Sequence, residues 1–216
     1  MAKYDLILYD CDGTLYNTYE GVKANFENTL KVLGYAPMPE DFNWNICIGP
    51  LLEWSMEYAL KLPKDRIDEA IAQFRSTYHD FGVNGSILYP GIRESLLKLK
   101  QNGVRIGVAS SKLQDSLEKT IWKDGITGLF DVIEGCTPGT QKTKAETIET
   151  ALEKSGIARE KVLMLGDTKF DAEGAALEKM DFAAALWGFG TEKEFDPYDC
   201  VFKAKTPMEV ADFVIG

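Results

Sequence analysis

From residue 86 onward the chain alternates two kinds of segment, and this alternation constrains the fold more than any other feature. Short apolar or β-branched runs are separated by amphipathic segments with helical spacing. Such alternation is typical of a parallel sheet whose faces are covered by helices, so we predict an α/β fold. The predicted strands are residues 4–9, 104–109, 130–133, 162–165, 182–185 and 200–202, and the predicted helices are residues 92–101, 113–123, 144–155 and 172–180.

Residues 16–85 interrupt this pattern. They contain no convincing strand, and apolar residues such as Val22 and Phe26 recur at helical spacing. A helical block directly after the first strand, followed by a return to alternation, indicates an inserted domain. We therefore predict a discontinuous α/β core domain of residues 1–15 and 86–216, with a helical domain of residues 16–85 between its two parts.

The overall charge argues against polyanionic partners. The 216 residues include 24 Lys and Arg against 34 Asp and Glu, which gives a formal net charge of −10. An acidic chain is poorly suited to bind a nucleic acid or an anionic membrane surface, so we expect neither as a partner. The four cysteines are widely spaced, and no apolar run is long enough for a signal peptide or a membrane span. We therefore expect a cytoplasmic protein with reduced thiols, present as a monomer or a homodimer.

The sharpest local signal follows the first predicted strand. Asp10 and Asp12 stand two residues apart at its end, where alternation directs both carboxylates to one side, and Gly13 permits a sharp exit. Ligands of open α/β sheets bind just beyond such strand ends. Two adjacent carboxylates repel each other unless a cation binds or one of them is protonated. The alternative interpretation is an ordinary Asp-Gly turn.

A second acidic pair follows the apolar run Val162–Leu165. Asp167 stands at the predicted strand end, and Asp171 can return to the same side on the first turn of a helix. An acidic residue at a helix start is also favoured by the helix dipole, which explains Asp171 better than Asp167. Acidic residues at two strand ends suggest a site for a hard cation, and oxygen ligands suit Mg²⁺.

Two weaker elements accompany the acidic pairs. Ser110, Ser111 and Lys112 follow the predicted strand 104–109, where a hydroxyl and backbone amides could hold phosphate oxygens. Taken alone, such a segment is more often a helix N-cap. Lys144, or with less support Lys142, precedes or begins a predicted helix. A single lysine is usually a solvated charge, so this assignment depends on the other elements.

The order of acid pair, hydroxyl, lysine and acid pair resembles the haloacid dehalogenase superfamily of phosphohydrolases over essentially the whole chain. More narrowly, the segments 48–52, 89–92 and 188–190 look like the phosphoglycolate phosphatase-like branch. The resemblance implies a Rossmann-like, three-layer parallel sheet core. It also implies that residues 16–85 form a helical cap inserted after the first motif.

The resemblance further implies a Mg²⁺-dependent phosphatase that hydrolyses a small phosphate monoester through an aspartyl-phosphate. Asp10 would be the nucleophile and Asp12 the general acid and base. Ser110 and Lys144 would hold the transferring oxygens.

The implied ligand sets extend beyond these four catalytic residues. The metal set is Asp10, Asp12 through its backbone carbonyl, Asp167 and Asp171, the last as a ligand or as a support for Lys144. The expected substrate-binding residues are Thr14, Ser111 and Lys112.

Two other functions stay open, and so does the substrate. A sugar-phosphate mutase would return the phosphoryl group to the substrate, but Thr14 and the lack of a histidine near the cap entrance favour the phosphatase. A receiver-like phosphoacceptor domain also combines clustered acids, a hydroxyl, a lysine and Mg²⁺. Its phosphoacceptor lies on a central strand, whereas Asp10 follows the first one. The substrate could be phosphoglycolate-like, a 5′-nucleotide or a sugar phosphate.

A histidine, a cysteine and several aromatic residues could suggest further functional roles, but we expect mainly structural roles for them. His79 is the only histidine and is expected to be a solvated surface residue. Cys11 lies between the two aspartates in the sequence and is expected to point to the opposite face, as a small core residue. Four aromatic residues could line a substrate pocket under the cap, but core packing is expected for most of them: Trp44, Trp54, Tyr58 and Tyr78.

Overall fold

The computed structural model describes residues 2–137 and 142–216. Within it the chain divides into two compact units, one formed by the residues up to Asn17 together with Leu88–Gly216, and the other by Thr18–Ile87. That the second unit acts as a cap stays a prediction.

The helices and strands are as follows. The strands are β1 (Leu6–Tyr9), β2 (Tyr16–Asn17), β3 (Ile87–Leu88), β4 (Arg105–Leu113), β5 (Val132–Cys136), β6 (Val162–Gly166), β7 (Asp181–Ala185) and β8 (Cys200–Ala204). The α-helices are α1 (Tyr19–Val32), α2 (Leu52–Trp54), α3 (Ile67–Tyr78), α4 (Ile92–Gln101), α5 (Gln114–Lys123), α6 (Lys144–Ser155), α7 (Lys169–Leu177) and α8 (Pro207–Ile215).

The first unit is built on a six-stranded sheet in the order β5-β4-β1-β6-β7-β8. Every strand pair in it is parallel, which confirms the α/β prediction. Every residue of the central strands β1 and β6 is buried, because helices cover both faces of the sheet. Because β1 and β6 are neighbours and run parallel, they end side by side. Asp10 follows the end of β1, and Asp167 follows the end of β6.

Several predicted boundaries were wrong, and local interactions explain two of them. The strand predicted to end at Ala109 continues to Leu113 as β4, with a shift of register against β5 between those residues, so the predicted helix N-cap is absent at Ser110. Helix α7 begins at Lys169 and not at residue 172, because Thr168 and Asp171 form a capping box. Helix α8 was not predicted, although Thr206 caps it and Pro207 begins it.

The second unit packs its helices around aromatic rings. Phe26 of α1 and Phe74 of α3 have ring centroids 4.5 Å apart, and Trp44 stacks on Phe26 at 6.0 Å. Core packing was expected for most of the four aromatic residues and holds for Trp44. Tyr78 is half-buried, with its ring centroid 5.4 Å from that of Phe74, whereas Trp54 and Tyr58 are exposed.

The remaining sequence expectations concern single residues and the membrane. Cys11 is fully buried in the core and the His79 side chain is exposed, as expected. Among the helices of the described residues, none combines the length and the apolar character needed to span a membrane.

Candidate active site

Three carboxylates meet at the carboxyl ends of β1 and β6. Asp10 follows β1 directly, and its N–H extends the ladder by donating to the carbonyl of Leu165 at 2.9 Å. Asp167 follows β6, and Asp171 lies in the first turn of α7. All three side chains are buried. One carboxylate oxygen from each of them lies within 4.8 Å of the corresponding oxygens of the other two. The parallel pairing of two adjacent strands thus brings together carboxylates more than 150 residues apart.

Lys144 is the cation of this cluster. Its Nζ lies 2.5 Å from Oδ1 of Asp10 and 2.7 Å from Oδ1 of Asp171. The lysine is the first residue of α6, whose start is fixed by a capping box between Thr143 and Glu146. Because the first turn is fixed, the buried ammonium points to a defined place between the two acids.

The alternative lysine lies elsewhere. The Nζ of Lys142 contacts Glu134 at 3.0 Å and donates to the hydroxyl of Thr150 at 2.9 Å. Of the two lysines left open by the sequence, it is therefore Lys144 that contacts the aspartates.

Asp171 has two separate tasks, one for each oxygen. Oδ2 accepts hydrogen bonds from the N–H and the hydroxyl of Thr168, at 3.0 and 2.9 Å, and so caps α7. Oδ1 faces Lys144. A Cβ at Gly166 would lie 2.2 to 2.5 Å from atoms of the Asp171 side chain, so glycine is required there for the carboxylate to occupy its place.

Asp167 is held by donors on both of its oxygens. The hydroxyl of Thr14 donates to Oδ1 at 2.9 Å, and the backbone N–H of Phe189 donates to Oδ2 at 2.8 Å. The segment that carries Phe189 approaches closely: a Cβ at Gly188 would lie 2.3 Å from that of Asp167, and one at Gly190 would lie 2.0 Å from its carbonyl oxygen. Only residues without a side chain fit on either side of the donating N–H.

Thr14 contacts Asp167 and helps to orient it. Its side chain is fully buried, and its hydroxyl is directed to Asp167. The indole N–H of Trp187 donates to its carbonyl at 3.0 Å, which ties the loop after β1 to the segment after β7. The role of Thr14 in binding substrate stays a prediction.

Asp12 does not join the three-carboxylate cluster through its side chain. The strand ends at Tyr9, and the chain turns at Gly13, which has a φ of +89° and whose N–H donates to the carbonyl of Tyr16. Strand alternation therefore does not by itself place the Asp12 carboxylate, although its charge contributes to raising the pKa of Asp10. Its Oδ1 forms an ion pair with the Nζ of Lys112 at 2.9 Å. Whether its backbone carbonyl binds a metal stays a prediction.

Ser110 and Ser111 lie in the shifted end of β4. Ser110 is buried, and its Oγ accepts a hydrogen bond from the N–H of Lys112 at 3.4 Å. Ser111 is half-buried. Their predicted roles toward the substrate stay predictions. Lys112, which was predicted to bind substrate, has its ammonium on Asp12.

Burial dominates the acid-base properties of the cluster. It raises the pKa of Asp10 to about 6, with a further contribution from Asp171 and an opposing one from Lys144. Burial and the neighbouring Asp171 and Asp10 also raise the pKa of Asp167 well above its usual range. Burial alone would lower the pKa of Lys144, but the two carboxylates that face it outweigh burial and raise it.

The donor set fits a small divalent cation. Three carboxylates with one ammonium leave two formal negative charges in a buried place, which a divalent ion would balance. All the clustered ligand atoms are hard oxygens, the type preferred by Mg²⁺.

Comparison with known proteins identifies the family. The model of the haloacid dehalogenase-like hydrolases matches residues 7–185, and the chain belongs to this family. A haloacid dehalogenase-like hydrolase from Streptococcus pneumoniae has a similar structure, with a TM-score of 0.90 and 32% identity over 99% of both chains.

Two curated relatives carry different names. The tyrosine-protein kinase PtkA of Mycobacterium tuberculosis is 32% identical over 186 residues, which cover 86% of this chain and 63% of that protein. The chain thus spans less than two thirds of the kinase. The phosphoglycolate phosphatase of Aquifex aeolicus is 33% identical over 186 residues, which cover 85% of each chain.

The segment that places the N–H of Phe189 on Asp167 was not assigned a role from the sequence. The run Gly188–Gly190 resembled the phosphoglycolate phosphatase-like branch, but no contact followed from the resemblance. A pair of glycines flanking one residue is a signal of close backbone approach, and it could have pointed to a neighbour at the end of β6.

Proposed function

We propose that this protein is a Mg²⁺-dependent phosphatase that hydrolyses a small phosphate monoester through an aspartyl-phosphate. The observation that carries the proposal is the buried cluster of Asp10, Asp167 and Asp171 with Lys144 between two of its members. A buried carboxylate that touches an ammonium, beside a set of oxygen ligands, is suited to attack phosphorus.

The proposed reaction has two steps, formation and hydrolysis of the aspartyl-phosphate. A carboxylate oxygen of Asp10 attacks phosphorus, and the bond from phosphorus to the leaving oxygen breaks. Asp12 gives its proton to that oxygen, and then takes a proton from the water that hydrolyses the aspartyl-phosphate. Ser110 and Lys144 hold the transferring oxygens, while Asp171 orients Lys144 through the contact of 2.7 Å.

The proposed metal ligands are Asp10, Asp167 and the backbone carbonyl of Asp12. When bound there, Mg²⁺ supplies positive charge that offsets the repulsion between a carboxylate nucleophile and the phosphate oxygens. Thr14 and the N–H of Phe189 keep Asp167 oriented toward the site.

Phosphoglycolate is the first substrate to test, because the Aquifex aeolicus relative named for it aligns along most of both chains. The panel also includes a 5′-nucleotide, a sugar phosphate and p-nitrophenyl phosphate. Phosphate release is followed with Mg²⁺ and with a chelator. We expect turnover that requires the metal, and a loss on the order of 10³-fold or more in Asp10→Asn, since the nucleophile is removed.

Asp115→Asn is the matched control for this substitution. Asp115 is an exposed acid of α5 that pairs with Lys119, so the same change there removes one charge without touching the site. Folded wild-type protein that turns over no monoester in the panel would contradict the proposal. Stoichiometric phosphorylation without turnover would favour the receiver-like alternative, and exchange of phosphate between positions of a sugar would favour the mutase.

The similarity to PtkA supports a second candidate, phosphoryl transfer to protein tyrosine. Because the chain spans 63% of that kinase, the similarity does not extend to all of it. Incubation with ATP, Mg²⁺ and a tyrosine-containing peptide discriminates the two functions. Phosphotyrosine formation without hydrolysis of any monoester would replace the phosphatase with the kinase, whereas hydrolysis without phosphotyrosine would exclude the kinase.

A further inference from the structure

Lys112 is an almost fully buried lysine that forms an ion pair with an aspartate. Its side chain is 3% exposed, and its Nζ lies 2.9 Å from Oδ1 of Asp12, whose side chain is 19% exposed. Desolvation of an ammonium costs several kcal/mol, so a lysine in such a place requires a counter-charge. Asp12 supplies it.

Two groups of direct contacts between charged side chains lie at this end of the sheet. Lys144 contacts Asp10 and Asp171, while Lys112 contacts Asp12. The second pair joins two irregular segments, the turn after β1 and the end of β4 where its register shifts. Because neither segment is held by a regular ladder at that point, the ion pair contributes to fixing where the Asp12 carboxylate lies.

We infer that Lys112 is a positioning residue, which holds the Asp12 carboxylate in place for proton transfer to the leaving group and does not itself bind the substrate. The inference rests on the proposed phosphatase function. It also replaces the role in substrate binding that the sequence suggested for Lys112. The role in positioning Asp12 and the role in binding substrate can be distinguished, because they affect the rates with good and poor leaving groups differently.

The test compares two monoesters. In 2,4-dinitrophenyl phosphate the leaving phenolate is stable and needs no proton, whereas the leaving alkoxide of an alkyl phosphate such as phosphoglycolate does. For Lys112→Met we expect kcat/KM for the alkyl phosphate, which reports formation of the aspartyl-phosphate, to fall by about 10- to 100-fold, a part of the 10²- to 10⁴-fold that a general acid contributes. We expect kcat/KM for the dinitrophenyl ester to change by less than about threefold. The kcat values are not the discriminating quantity, because both esters share the later step in which Asp12 takes a proton from water.

Two further variants separate positioning from a merely structural effect. In the Asp12→Asn background, Lys112→Met should cause no additional loss with the alkyl phosphate, since both changes act through one group. Lys112→Arg keeps the charge and is expected to recover part of the alkyl phosphate turnover. Lys119→Met, which removes an exposed lysine paired with Asp115, is the matched control and is expected to behave as wild type.

Each other outcome has a definite meaning. Equal losses of kcat/KM with both esters would overturn the inference in favour of a structural role or of substrate binding. If Lys112→Met does not fold, Lys112→Gln is assayed in its place with the same expected pattern. Wild-type protein that hydrolyses neither ester would contradict the proposed function. This failure differs from a failure of the inference on Lys112, because it is seen before any variant is compared.

Discussion

The Nζ of Lys144, the first residue of α6, lies 2.5 Å from Oδ1 of Asp10, the residue that follows β1. The contact joins positions 134 residues apart and places a buried ammonium on the proposed nucleophile. It has consequences for activity and for stability that can be measured separately.

Replacement of Lys144 by Met should abolish turnover while the corresponding change at Lys142 should not. Without the ammonium, the buried Asp10 and Asp171 face each other uncompensated, and we expect the free energy of unfolding without metal to fall by about 3 to 5 kcal/mol. Urea unfolding and phosphate release are measured on both variants. Lys142→Met is the matched control because Lys142 contacts Glu134 and Thr150. Retained turnover in Lys144→Met would contradict the assignment.

Neutralising Asp167 should stabilise the protein when no metal is present. Asp167→Asn removes one of three clustered buried carboxylates. The amide oxygen of the new side chain can accept the hydrogen bond of the Phe189 N–H, and its NH₂ group can donate one to the hydroxyl oxygen of Thr14. We expect a gain of about 1 to 2 kcal/mol in metal-free protein and the loss of most of the stabilisation that Mg²⁺ gives to wild type. Thermal unfolding with and without Mg²⁺ measures both. Unchanged stabilisation of the variant by Mg²⁺ would exclude Asp167 as a ligand.

A single methyl group at Gly188 should weaken metal binding without removing any ligand. The added Cβ would lie 2.3 to 2.5 Å from the Asp167 side chain, so the carboxylate must move. We expect Gly188→Ala to lower Mg²⁺ affinity by about 10- to 100-fold, the range found when residues that orient a ligand are changed. Calorimetric titration with Mg²⁺ is the measurement. Gly128→Ala is the control because a Cβ there meets nothing within 4 Å. Equal affinities of the two variants would show that the close approach does not position Asp167.

A second ion-pair cluster, away from the aspartates, predicts a pH dependence of stability. Glu134 of β5 is buried and contacts Lys154 at 2.5 Å and Lys142 at 3.0 Å. Burial alone would raise its pKa, but the two lysines outweigh burial and lower the pKa below the usual 4.5. A lowered carboxyl pKa stabilises the fold above the unfolded-state pKa, and this contribution is lost as the pH falls through the folded-state value.

We therefore expect Glu134→Gln to be less stable than wild type by about 1 to 3 kcal/mol near neutral pH, and the difference to shrink as the pH falls below about 4.5. Urea unfolding at a series of pH values measures it. Glu153→Gln, a change at an exposed acid of α6, serves as the control. A difference that grows on acidification would have the wrong sign.

The sequence predicted those features that depend on local patterns. Buried parallel strands read as apolar runs, so β1 and β6 were found and the aspartates that follow them were expected to meet. Helix α6 was predicted with its observed bounds, because Thr143 and Glu146 form a cap within four residues. The family resemblance, which added the hydrolase assignment, is confirmed by the family model.

Several long-range contacts were not predicted. The Asp12–Lys112 pair depends on a register shift of β4, which has no residue pattern of its own. The N–H of Phe189 on Asp167 depends on how the segment after β7 returns to β6, and a backbone donor leaves no signal in residue type. The contact of the Thr14 hydroxyl with Asp167 was not predicted either, because the two residues are far apart in the sequence.

The proposed reaction requires that Asp10 carry the phosphoryl group during turnover. Wild-type protein is mixed with Mg²⁺ and a monoester that it hydrolyses, quenched in acid within the first turnovers, and digested for mass spectrometry. If Asp10 is the nucleophile, we expect one phosphoryl group on the peptide that contains Asp10. We expect neither an adduct nor turnover in Asp10→Asn. A phosphoryl group on a different residue, or an Asp10→Asn variant that keeps wild-type turnover, would contradict it.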